Sequence, residues 1–127
     1  MAHTFIILPT GDIEVDHIRE MFYDLKDKEF KYSQWFPRAA LIDKKANTTH
    51  LFTGQKYSEA NFDFDMAGWT HDHCDICFIT ISQEQTDFVQ NEGYFDGSDW
   101  VCKSCYEIIV SAKDIEEKLK TLTMYIK

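Results

Sequence analysis

Hydrophobic and polar residues alternate along this chain with two different periods, and the changes of period mark out its elements. Thr4-Phe5-Ile6-Ile7-Leu8 is a short apolar run that predicts a β-strand, closed by a turn at Gly11-Asp12. From Asp16 the period changes. Ile18, Met21, Phe22 and Leu25 fall at i, i+3, i+4 and i+7, one face of a helix, with Asp16 as the expected N-cap and Glu20 in the first turn. The charged run Lys26 to Glu29 ends that helix on a solvated surface. Pro37 pushes Phe36 out of helical geometry, so Trp35-Phe36-Pro37 is a break. Ala39 to Ile42 reads as a short strand or a helical turn, and His50 to Thr53 as a strand stopped by Gly54. Phe62 and Phe64 alternate with Asp63 and Asp65, the pattern of a half-exposed strand.

The second half repeats this mixture. Phe78-Ile79-Thr80-Ile81 is β-prone, and Phe88-Val89 is expected to pair back against it. Tyr94-Phe95 and Trp100-Val101 flank Asp96-Gly97-Ser98-Asp99, a hairpin tip. From Cys102 the period is helical through Tyr106, Ile109 and Val110. Ser111 to Asp114 has capping-box character, and Ile115, Leu119, Leu122 and Ile126 then share a helical face. No Gly-, Ser- or Pro-rich linker interrupts the chain. The expectation is an α+β fold in one domain, residues 1–127. A mixed α/β part over 1–60 packs on a zinc-binding part over 61–127, the latter a hairpin with C-terminal helices.

Chemistry enters with four cysteines in two i,i+3 pairs, Cys74/Cys77 and Cys102/Cys105. Brought together, they surround one ion with four thiolates, the donor set of a structural Zn²⁺ site. The 24 residues between Cys77 and Cys102 accommodate a hairpin. The second pair falls where a helix starts, which favours a treble-clef arrangement over a zinc ribbon with two hairpin knuckles. A dithiol redox role or iron competes with zinc, and so do buried free thiols, but two pairs with no spare cysteine fit a metal better. Four thiolates leave no open position, so the ion is expected to be structural rather than catalytic.

His71-Asp72-His73 precedes the first pair. Either imidazole is a candidate to replace a cysteine, to support the ligands, or to build a second, weaker site with Asp72. The same three residues are the only candidate site for a metal-dependent hydrolase or nuclease. That reading lacks support downstream, because no histidine or asparagine follows Cys105. Deaminase, phosphate-loop and serine-elbow signatures are absent, and the chain is expected not to be an enzyme.

Charge narrows the partners. Formal net charge is −9, with nine acids against eight bases in residues 1–60 and thirteen against five in 61–127. Four thiolates around Zn²⁺ add two further negative charges. Such a surface repels phosphate backbones and attracts basic proteins, so no nucleic acid partner is expected. Asp63, Asp65, Asp72, Asp75, Asp96 and Asp99 are the acids placed to form a negative patch near the metal. Trp69 and Trp100 are expected to pack over the site. In the less regular stretch Tyr32, Trp35 and Phe36, packing against the first helix competes with an exposed anchor, and Trp35 is the candidate contact residue. No run approaches a membrane span and Thr4–Leu8 lacks a signal-peptide flank, so the expected location is the cytoplasm, with no membrane contact.

The run Trp69 to Cys77, then Gly93-Tyr94, then Trp100 to Glu107, resembles a group of small bacterial proteins. These carry a His-x-His-Cys-x-x-Cys start and a Trp-x-Cys-x-x-Cys-Tyr/Phe finish. The resemblance covers the C-terminal half and implies the treble-clef-like zinc fold. Size, acidity and the lack of catalytic motifs are also similar to immunity proteins, which neutralise a bacterial toxin. That likeness implies a non-catalytic binder that occludes a basic toxin, with a generic zinc-finger adaptor as the rival.

Overall fold

The computed structural model describes residues 2–127. Over these residues the fold is α+β, with twelve short strands in four three-stranded sheets and three short helices. β1 (Thr4–Leu8) and β2 (Gly11–Glu14) form a hairpin whose inward positions are Ile6, Leu8 and Ile13. Helix α1 (Val15–Leu25) follows at once and buries Ile18, Phe22 and Leu25, the face that the spacing predicts. Its N-cap is Glu14 rather than Asp16, which lies inside the first turn and pairs with Arg19 at 3.2 Å.

β3 (Lys31–Gln34) leads to β4 (Arg38–Asp43), β5 (Thr49–Leu51) and β6 (Phe62–Trp69), which pair in the order β5-β4-β6. Residues 39–42 are therefore strand, not helical turn. The β4/β6 register shifts between Arg38 and Ala40, because Asp65 folds the chain back on itself by accepting from the Ala67 backbone N–H at 2.9 Å. This bulge re-aims the end of β6 so that Trp69 faces Arg38. Gly68 makes it feasible: a Cβ there would lie 2.9 Å from the Asp65 Cβ and 3.1 Å from that of Ala40.

β7 (His71–His73) and β8 (Thr80–Ser82) flank the first cysteine pair, and β9 (Val89–Gln90) lies beside β8. The pairing of β9 is parallel, not the simple return that the sequence led us to expect. The exposed loop 83–88 carries the chain back over the sheet end before the second strand starts. β10 (Glu92–Phe95) and β11 (Trp100–Val101) form the expected hairpin, and β3 adds to its free edge. α2 (Lys103–Cys105) runs on as a π-helical turn, Tyr106–Val110, closed by a bond from the Ser111 N–H to the Tyr106 carbonyl at 2.9 Å.

The C-terminus departs most from its pattern. Helix α3 (Ile115–Leu119) is short, and its N-cap Asp114 accepts from the Glu116 and Glu117 N–H groups. The predicted continuation through Ile126 is instead β12 (Met124–Ile126), antiparallel to β1. Tyr125 stacks on Phe5 at 5.6 Å and donates to Asp12 at 2.9 Å, so pairing along an open strand edge overrides helical spacing. A buried cluster joins β1, β2 and α1 to the cysteines, Trp100, Val101, Ile109, Ile115 and Leu119. Ala40 and Leu41 are buried outside it, within the β4–β6 sheet.

Candidate metal centre

The first cysteine pair sits in a tight knuckle between β7 and β8. The Cys74 N–H bonds the Ile79 carbonyl and the Phe78 N–H returns to Cys74, both at 2.9 Å. The Ile76 N–H points at the Cys74 sulfur, 3.4 Å away. This closure forces Phe78 into the left-handed region, φ 66°. A second tie holds the knuckle to the hairpin strand: the Asp75 N–H donates to Trp100 at 3.1 Å. The second pair follows that strand directly. Cys102 caps α2 and Cys105 ends it.

The four sulfurs converge. All lie within 4.8 Å of one another, all four residues are buried, and none forms a disulfide. Cys77 and Cys102 are 3.7 Å apart, against about 3.8 Å for two thiolates on one tetrahedral ion with metal–sulfur bonds near 2.3 Å. Knuckle, hairpin and helix supply the ligands in the expected treble-clef-like order. Hydrogen bonds from Cys105, Cys74 and Cys77 pull Cys102 below the ordinary thiol range, while contact with Cys102, Cys74 and Cys77 pushes Cys105 up. A divalent ion would replace the thiol protons at the centre of the cage.

Thr10 is a functional residue that sequence reasoning missed. From the β1–β2 turn its hydroxyl donates to the Cys77 sulfur at 2.9 Å and lies 3.6 Å from Cys102 and 3.9 Å from Cys105. It covers the cage from the far end of the chain and stabilises thiolate charge. No local signal marks it, because the contact spans 67 residues.

The chain matches no family model, no curated protein and no solved structure.

His71 and His73 are exposed and stand on one face of β7, ring centres 5.1 Å apart. Asp72 points the other way, as strand alternation requires. Its carboxylate accepts from the indole N–H groups of Trp35 at 2.9 Å and Trp69 at 3.0 Å, and pairs with Arg38 at 3.0 Å. The three residues His71, Asp72 and His73 therefore do not converge on one ion, and the triad the sequence offers for hydrolysis is not assembled. Trp35 is only 3% exposed, so it is a buried girder rather than a surface anchor; its neighbours Tyr32 and Phe36 are the exposed aromatics.

Of the six acids expected to form a patch, Asp72, Asp96 and Asp99 lie close enough to Asp75 to act on its carboxyl, while Asp63 and Asp65 stand on β6. Asp96 and Asp99 are half-buried and hold Lys28, at 3.7 and 2.8 Å. Burial, then the neighbouring Asp99, pushes the Asp75 carboxyl up to about 6 against the opposing pull of Lys28. Asp63 and Asp65 stay exposed on β6, where Asp63 lies 3.5 Å from Lys44. No helix among the described residues is long and apolar enough to cross a membrane.

Proposed function

We propose that this chain is a non-catalytic protein-binding protein, an immunity protein that neutralises a basic bacterial toxin in the cytoplasm, with Zn²⁺ as the structural ion of the Cys74/Cys77/Cys102/Cys105 centre. One observation carries the reading. Phe78 and Phe88 are 58% and 84% exposed, and both line a groove of about 420 Å³ beside the metal centre. Thr10, Ile79 and Asp87 share the lining. Two largely exposed phenylalanines in one recess are poor solvent-facing residues and good anchors. Exposed Glu84 and Asp87 flank them, and the molecule as a whole is strongly anionic, which selects a cationic partner. The metal fixes the knuckle that presents Phe78, so the ion shapes the binding surface without taking part in chemistry. Four buried thiols without disulfides also fit a reducing compartment.

The test is capture from the producing cell with zinc-loaded protein, followed by assay of the captured partner. The expected partner is a basic protein whose toxic activity is lost at one-to-one stoichiometry. Phe88→Ala should weaken the complex about tenfold or more, and added salt should slow its association. A partner that keeps its full activity in the complex points to an adaptor instead. Absence of any partner overturns the proposal.

A further inference from the structure

We propose that His71 and His73 form a second divalent-metal site on the outer face of β7, distinct from the four-cysteine centre and weaker than it. Residues i and i+2 of a strand share a face, so the two imidazoles stand side by side. Their centres lie 5.1 Å apart with the ring planes nearly perpendicular, at 84°. Two imidazoles bound to one tetrahedral ion through metal–nitrogen bonds of about 2.0–2.1 Å would place their centres about 5 Å apart. The unliganded rings already have that separation.

Hydrogen bonding selects the nitrogens. His73 Nδ1 lies 3.2 Å from the Phe78 carbonyl, which can only accept, so Nδ1 carries the proton and Nε2 keeps its lone pair. His71 Nδ1 lies 3.4 Å from the Thr70 hydroxyl, which can accept as well as donate, so the tautomer that keeps an Nε2 lone pair is open to it. An imidazole that donates one N–H to a backbone carbonyl and offers the other nitrogen is the usual state of a metal-bound histidine. Phe78 is the residue whose left-handed backbone closes the cysteine knuckle, so the first metal centre helps aim the second.

The surroundings admit an ion. His71 and His73 line a groove of about 510 Å³ with Thr49, Trp69 and Asp75. Both rings are exposed, so water can complete the coordination. Asp72 is not a ligand, because its oxygens are held by Arg38, Trp35 and Trp69. Two imidazole ligands with open water positions suit Zn²⁺, Ni²⁺ or Cu²⁺, and bind less tightly than four thiolates. The second ion is therefore exchangeable where the first is structural. The inference does not depend on the immunity reading.

The experiment uses untagged full-length protein with the cysteine centre already loaded with zinc. Calorimetric titration with further Zn²⁺ should show one additional ion per chain. His71→Ala or His73→Ala should weaken that uptake at least tenfold, and the double variant should abolish it while retaining the first zinc and an unchanged melting temperature. Sub-stoichiometric Ni²⁺ added to the zinc-loaded protein should broaden the imidazole resonances of His71 and His73 before those of His3, His17 and His50. Three results would overturn the site: no second ion up to roughly 1 mM free Zn²⁺, undiminished uptake by the double variant, or broadening that starts at another histidine.

Discussion

At the scale of single residues, Asp72 is the side chain on which most depends. It is half-buried, and it gathers two indole N–H groups and one guanidinium from Trp35, Trp69 and Arg38. These donors come from two stretches of chain, Trp35 and Arg38 around the start of β4 and Trp69 at the end of β6, and meet two residues before the first cysteine. Asp72→Ala strands all of them at once. Removing one partner of a buried, hydrogen-bonded ion pair costs more than the pair contributes, because the remaining charge stays desolvated. The expected loss is about 2–4 kcal/mol by urea denaturation of the metal-loaded protein. A loss within the range of an exposed substitution would show that water replaces the carboxylate.

Phe78 poses the opposite question, since its backbone is strained. At φ 66° an L side chain is disfavoured by roughly 1–2 kcal/mol relative to ordinary geometry. Its ring stacks on His17 at 5.0 Å, which returns part of that. Phe78→Gly relieves the strain and loses the stack, so stability should change little. Phe78→Ala keeps the strain and loses the stack. Glycine should therefore be more stable than alanine here by about 1 kcal/mol, the reverse of the usual order in regular structure. Thermal melts of the two variants decide it, and both should bind a partner less well.

At the scale of elements, β12 shows how far local pattern reaches. Ile115, Leu119, Leu122 and Ile126 are spaced for a helix, yet only residues 115–119 are helical. The edge of β1 needs a partner, and the Ile7 N–H finds it in the Thr123 carbonyl at 2.9 Å, while His3 and Lys127 exchange bonds at 2.9 and 3.0 Å. Tyr125→Ala removes the stack on Phe5 and the bond to Asp12. It should cost about 1–2 kcal/mol and accelerate amide exchange at Ile7 and Lys127 ahead of α1. Equal acceleration everywhere would mean that β12 opens only with the whole fold.

The same contrast explains what the sequence revealed. α1, the β10–β11 hairpin and the cysteine cage were legible because each is encoded by neighbours: a 3.6-residue period, a turn tetrad, two i,i+3 pairs. Thr10 and the role of Trp35 were not, because both are fixed by partners 37 or more residues away. Strand alternation in His71-Asp72-His73 was available in principle. It separates Asp72 from the imidazoles once residues 71–73 are known to be extended.

At the scale of the whole molecule, the four-cysteine cluster is part of the main core rather than an appendage. The four cysteines belong to the same buried cluster as Ile6, Ile13 and Phe22 from the N-terminal hairpin and helix, and as Ile109 and Leu119 from the C-terminal helices. Thr10 adds a direct polar contact from the N-terminal hairpin to the sulfurs. Without an ion, four thiols would meet at the centre of that cluster, where thiolates repel one another and protonated thiols lack a fixed tetrahedral frame. Metal binding and folding are then one process. Cys102→Ser should abolish stoichiometric zinc and broaden the thermal transition. The loss should extend beyond residues 61–127, so that the amides of Ile6 and Phe22 lose exchange protection together with those of Ile109 and Val110. Acidification should act in the same direction on the wild type, because protons compete with the ion for sulfur as pH falls. Retained protection at Ile6 and Phe22 in a zinc-free variant would show instead that the N-terminal hairpin and α1 stand without the ion, and that the cage stabilises only its own half.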